Sequence, residues 1–188
     1  MNDLPPQRLA LSTGVELDVW TAGDTANPAI IFLHGFPESH RTWRHQIAAL
    51  SKRYYCISPD QRGYAGSSKP PSVSDYAVSK LVADVFALAD ALGVDRFTIA
   101  AHDWGGAIGW AAALGRPDRV ERLVIANAPH PAIFQRLLLS NPEQRAASQY
   151  IRTFRDPASD LPLRQLTAGE PARSEERRVG KECLRLCR

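Results

Sequence analysis

The stretch from Phe97 to Leu114 constrains the fold of this chain more than any other. An apolar run, Phe97-Thr98-Ile99-Ala100, reads as a buried strand. It runs into Ala101-His102-Asp103-Trp104-Gly105-Gly106, and then into an apolar-periodic stretch, Ile108 to Leu114, that reads as a helix. A strand that turns into a helix within so few residues needs small side chains at the bend. Ala101, Gly105 and Gly106 let strand and helix pack closely around a strained turn residue. That turn residue is Asp103, so the bend presents a carboxylate at a helix N-terminus, where the helix dipole favours the ionised form. A carboxylate so placed is a nucleophile for an electrophilic carbon, with which it forms an ester.

The rest of the chain repeats the alternation. Arg8 to Leu11 and Val15 to Trp20 read as two strands joined by the turn Ser12-Thr13-Gly14. Ala29 to Leu33 and Tyr54 to Ser58 are short apolar runs of buried-strand type, separated by a helical pattern from Thr42 to Leu50 with Trp43, Ile47 and Leu50 on one face. A polar loop rich in Gly and Pro covers Pro59 to Ser74. Val78 to Leu92 is a strong helix stopped by Gly93, the elbow helix stops near Gly115 and Arg116-Pro117, and Val120 to Ala126 is the next strand. Short apolar strands alternating with helices predict an α/β fold with a mostly parallel sheet covered on both faces. Ligands of such sheets bind at the carboxyl ends of the strands. His34, Asp60, Asp103 and Asn127 each follow directly after a predicted strand.

His34-Gly35-Phe36-Pro37 is the second informative turn. Gly35 permits an unusual backbone angle, and Phe36-Pro37 suits a cis bond. Such a turn presents the Phe36 backbone N–H inward. Trp104, the residue after Asp103, supplies a second N–H from a helix start. Two N–H groups facing one oxygen form an oxyanion hole, in which losing one donor typically costs about 3 kcal/mol of barrier. The side chain of His34 reads as a structural brace of the turn.

Four motifs in order carry a resemblance: His34-Gly35-Phe36-Pro37-Glu38-Ser39, Asp60-Gln61-Arg62-Gly63-Tyr64, His102-Asp103-Trp104-Gly105-Gly106 and Asn127-Ala128-Pro129-His130-Pro131. From Leu9 to about Pro157 the chain resembles the α/β-hydrolase superfamily, in its epoxide hydrolase and haloalkane dehalogenase branch. Glu38-Ser39 and Pro129-His130-Pro131 are more similar to the epoxide hydrolases. Ala65 departs from the pattern, which often has a third glycine there. The resemblance implies an α/β-hydrolase core at residues 1–130, in its N-terminal part, and the start of a helical cap at residues 131–172.

It also implies a chemistry. Asp103 opens an epoxide through an alkyl-enzyme ester, with the Phe36 and Trp104 N–H groups as the oxyanion hole and a cap phenol protonating the leaving oxygen. Tyr150 matches the first such phenol. Phe36, Trp104, His130 and Tyr150 are the implied substrate-binding residues. Water, activated by a histidine that an acid orients, then releases a vicinal diol. The only histidine after the elbow is His130, which matches the cap-entry motif, so the base and its acid are expected beyond Ala172 and this chain is expected to stop at the ester. Two alternatives stay open. A haloalkane dehalogenase would share Asp103 and use the Trp104 indole for the halide; a non-catalytic ligand-binding member would bind without chemistry. The expected partners are a small apolar epoxide or haloalkane and water, with no cofactor and no metal.

Composition removes other classes. The formal charge of +3 suggests nucleic acid, but Arg173 to Arg188 holds six basic and three acidic residues. Without them the chain has seventeen of each sign, twenty-three less six and twenty less three, so no nucleic-acid partner is expected. No apolar run is long enough for a bilayer, and the start, Met1 to Pro6, lacks the order of a signal peptide, so no membrane is expected and a cytoplasmic location is. Cys56 reads as a buried small apolar residue, and the cysteines form no metal or disulfide pattern. Arg173 to Cys183 is similar to the translation of a common short-read sequencing adapter. That resemblance sets residues 173–188 apart as a tail outside the fold and implies a longer natural product.

Overall fold

The computed structural model describes residues 6–151. The strands are β1 (Gln7–Ala10), β2 (Glu16–Ala22), β3 (Ala29–Leu33), β4 (Tyr55–Pro59), β5 (Phe97–His102) and β6 (Val120–Ala126). The helices are α1 (Arg44–Leu50), α2 (Val78–Ala91), α3 (Asp103–Gly115), α4 (Pro131–Ser140) and α5 (Pro142–Ala147). One sheet runs β1-β2-β4-β3-β5-β6. β1, β2 and β4 pair antiparallel, whereas β4, β3, β5 and β6 are parallel. This is the mostly parallel α/β sheet that the alternation predicts.

Burial explains the order. All five residues of β3 and all five of β4 are buried, as expected for parallel strands covered on both faces. Their side chains alternate between two clusters. Ile31, Leu33, Ile57, Ile99 and Ala101 face α2 and α3, packing with Leu81, Val85, Leu88, Ile108 and Ala112. Ile30, Phe32, Cys56 and Ala100 face the other way, onto Ile47 of α1 with Trp43 and Leu50 beside it. Each fully buried side chain of this size contributes about 1.5–3 kcal/mol. Cys56 belongs to this core, and burial pushes its thiol up to about 11.

Local signals set the ends of the elements. α2 closes where Val94 N–H reaches Ala89 O at 2.8 Å and Gly93 N–H reaches Asp90 O at 3.0 Å. Gly93 takes φ +68, the left-handed cap that its sequence position predicts. The expected helix from Thr42 divides into a 3-10 turn, His40–Trp43, and α1. The elbow helix begins earlier than its apolar period, at Asp103 itself.

The polar loop after β4 is folded inward. Asp60, Gln61, Arg62 and Ser67 are buried in it. Arg62 donates from Nε and Nη2 to the two oxygens of Asp84 on α2, both at 2.7 Å. Asp84 also accepts from Thr13 Oγ1 at 2.6 Å. Asp60 accepts from the His40 N–H at 2.8 Å and from His40 Nδ1 at 3.0 Å. Hydrogen bonding holds these polar residues inward beside Tyr64, which is buried edge-on to the His34 ring at 4.6 Å. No described helix is long and apolar enough to cross a membrane. The expected cap segment is described as far as 151. The rest of it and the tail at 173–188 lie outside the described residues.

Candidate active site

β3 and β5 are parallel neighbours, and their carboxyl ends bring the two informative turns together. Asp103 is the bend, with φ +50, and the residue before it, His102, is extended. The Phe36 N–H donates to Asp103 Oδ1 at 2.9 Å. The Phe36-Pro37 bond is cis. Trp104 lies in the first turn of α3, with Asp103 as that turn's acid. The dipole of α3 therefore meets the carboxylate as the sequence reading expects.

The glycines are required by contact. A Cβ on Gly35 would lie 2.5 Å from Asp103 Cβ and 2.6 Å from Oδ1. One on Gly105 would lie 2.5 Å from the carbonyl oxygens of Leu33 and His34, and one on Gly106 would lie 2.4 Å from Ala128 Cβ. The end of β3 thus packs directly over the start of α3. Such an approach is closed to any side chain.

His34 is fully buried. Its Nδ1–H donates to Gly35 O at 2.9 Å, because Nε2 accepts from the Gln61 N–H at 3.1 Å. Gln61 returns a bond from Nε2 to His34 O at 2.6 Å. Burial holds the His34 pKa below the usual histidine range, so the ring is a neutral brace. His102 and Glu38 were quoted in the motifs without a role. The structure places His102 Nε2 within 3.2 Å of the Gly35 N–H, which donates to it, and 2.5 Å from Glu38 Oε2. That carboxylate oxygen is buried and has no hydrogen-bond partner among the described residues. No periodicity signals these contacts, since they depend on two turns meeting.

The other candidates lie farther along. His130 caps α4, its Nδ1 accepting from the Ala132 N–H at 3.3 Å, with its ring edge-on to Trp110 at 4.8 Å. Trp110 in turn donates from Nε1 to Ala128 O at 3.2 Å. The Asn127–Pro131 turn is thereby fastened to α3, with His130 as a structural cap. Asn127 takes φ +45 directly after β6. Tyr150 lies in the helical turn after α5 and is 56% exposed. Among the described residues no three His, Cys, Asp or Glu side chains converge to hold a metal.

Known proteins share this arrangement. The family model of the alpha/beta hydrolase fold matches residues 28–175. Epoxide hydrolase A of Mycobacterium tuberculosis is 38% identical over 184 residues, 94% of this chain and 55% of its own length. Epoxide hydrolase 3 of Xenopus tropicalis is 37% identical over 145 residues, 77% of this chain and 40% of its own. A structure described as a novel epoxide hydrolase from metagenomes of hot environments superposes with a TM-score of 0.85 at 50% identity, covering 100% of this chain and 68% of that one. A mutant epoxide hydrolase of Bacillus megaterium, complexed with its diol product, superposes with a TM-score of 0.77 at 36% identity, covering 81% and 52%. The chain spans about half the length of the curated relatives it matches.

Proposed function

This chain belongs to the alpha/beta hydrolase fold family, in its epoxide-hydrolase-like branch, and from that premise we propose that Asp103 is the nucleophile of an epoxide-opening enzyme. The observation that carries the reading is the Phe36 N–H on Asp103 Oδ1 at 2.9 Å, at a bend held at φ +50. That bond occupies Oδ1 and leaves Oδ2 to attack. Oδ2 bonds to an epoxide carbon as the ring C–O bond breaks. The freed oxygen takes a proton from a phenol, the role assigned to Tyr150. Oδ1 becomes the ester carbonyl and already lies at the Phe36 N–H, with the Trp104 N–H as the second donor to the tetrahedral intermediate. Water adds to that carbonyl carbon, the acyl C–O bond breaks, and a vicinal diol leaves with Asp103 restored. The histidine that activates the water, and the acid that orients it, are assigned to chain beyond residues 1–172. Residues 1–130 form the core in this scheme, and the cap begins at Pro131.

The relatives named as epoxide hydrolases support the substrate class, and the diol bound to the Bacillus megaterium protein supports the product. The test is to incubate the purified chain with styrene oxide and measure intact mass and peptide maps. One adduct at Asp103 is expected, with no diol beyond one equivalent, and no adduct with Asp103→Asn. An unmodified Asp103 would refute the reading. Halide release from a haloalkane without any epoxide adduct would assign the dehalogenase chemistry instead.

A further inference from the structure

His102 takes no part in the chemistry above, yet it touches the turn that holds the nucleophile. Two successive amides of that turn meet two successive side chains of the elbow. The Gly35 N–H donates to His102 Nε2 at 3.2 Å, and the Phe36 N–H donates to Asp103 Oδ1 at 2.9 Å. These are two rungs between the same two segments. With one rung, a segment swivels about it; with two, the register is fixed. The residue between the two amides is Gly35, whose backbone has the widest conformational freedom of any residue type. A Cβ there is excluded by Asp103, so the chain cannot stiffen this point from within.

The remaining anchors act on the carbonyl side. His34 O accepts from Gln61 Nε2 at 2.6 Å, and Gly35 O accepts from the His34 ring at 2.9 Å and from the Glu38 N–H at 3.0 Å. None of them belongs to the elbow. His102 alone among these anchors ties the turn to the segment that carries the nucleophile. Its ring is set by its surroundings, with the Trp43 ring edge-on at 5.6 Å and the Glu38 carboxylate beside it.

We propose that His102 is a positioning residue for the epoxide-opening reaction: it accepts the Gly35 N–H and so keeps the Phe36 N–H in register with Asp103. The proposal rests on the reading of Asp103 as the nucleophile. Its test has two readouts on this chain. The first is amide hydrogen exchange by NMR in His102→Phe and His102→Gln, the glutamine offering an acceptor oxygen at similar reach. In His102→Phe, exchange at both Gly35 and Phe36 rises about fivefold or more, while Ile31 and Phe32 of β3 keep their protection. His102→Gln restores both. The second readout is the rate of adduct formation at Asp103 with styrene oxide, which falls in His102→Phe and recovers in His102→Gln.

Unchanged protection of Phe36 in His102→Phe overturns the proposal. So does a His102→Gln variant that keeps β3 protected but leaves Phe36 as fast as in His102→Phe. If His102→Phe loses β3 protection as well, His102→Met, narrower and without a strong acceptor, replaces it under the same criteria. If the unsubstituted chain forms no adduct, the reading of Asp103 fails, and the exchange result still decides whether His102 holds the turn.

Discussion

Three described residues other than glycine take positive φ: Ala65 at 42, Asp103 at 50 and Asn127 at 45. Asp103 and Asn127 stand at the carboxyl ends of neighbouring parallel strands. Ala65 is different. It departs from a pattern that often has glycine. It lies in a loop whose own hydrogen bonds fix its conformation. Gly63 N–H reaches Ser68 O at 2.9 Å, Ser67 N–H reaches Tyr64 O at 3.0 Å, and Lys69 Nζ donates to Ala65 O. Ala65 is therefore held in a left-handed conformation that costs an L-residue about 1–2 kcal/mol. Glycine there would lose more entropy on folding, by about 0.4–1 kcal/mol. The difference favours glycine, so Ala65→Gly is expected to raise stability by about 0.5 kcal/mol. A urea midpoint that falls in this variant would show that the loop does not impose the strain.

At the scale of elements, the apolar segments were legible and the polar ones were not. β3 and β6 have the bounds that the apolar runs indicate, and α2 stops where Gly93 indicates. Those signals are local, since burial selects a period and a cap residue selects an end. The elbow was legible because close approach leaves a record of small residues. The loop after β4 left no such record. Its Asp, Gln, Arg and Ser carry no periodic signal, yet Arg62 and Asp84 have side chains 4% and 6% exposed. A polar residue looks the same in sequence whether water or a partner satisfies it. The contacts of His102 were illegible for the same reason. The buried pair ties the loop to α2 and, through Thr13, to the β1–β2 turn. Asp84→Ala leaves the Arg62 charge buried without its partner and is expected to cost about 3–5 kcal/mol. The exposed pair Arg116–Asp118 is the comparison, and Asp118→Ala is expected to move the urea midpoint little. Equal shifts in the two variants would mean that the loop network does not hold α2.

For the whole molecule, the composition of β6 conflicts with its position. Val120 to Ala126 has the apolar content of an inner parallel strand, and parallel strands are normally covered on both faces. Among the described residues, however, β6 is the edge of the sheet, where Val124 is 59% exposed. Leu114, at the end of α3, is 59% exposed as well. β3 and β4, further inside, are buried throughout. An edge with open N–H and C=O groups and apolar side chains pairs with whatever strand reaches it. Relatives about twice as long have further chain available for that purpose, whereas two copies of this chain have each other. The 188-residue chain is therefore expected to bind a hydrophobic dye and to associate as its concentration rises. Val124→Lys places a charge on that edge, which natural sheets use against pairing. It is expected to shift the chain toward monomer in analytical ultracentrifugation while leaving the proposed Asp103 adduct intact, since β6 lies one strand away from β5, which Asp103 follows. A chain that stays monomeric at every concentration and leaves the dye dark would mean that β6 is not an open edge.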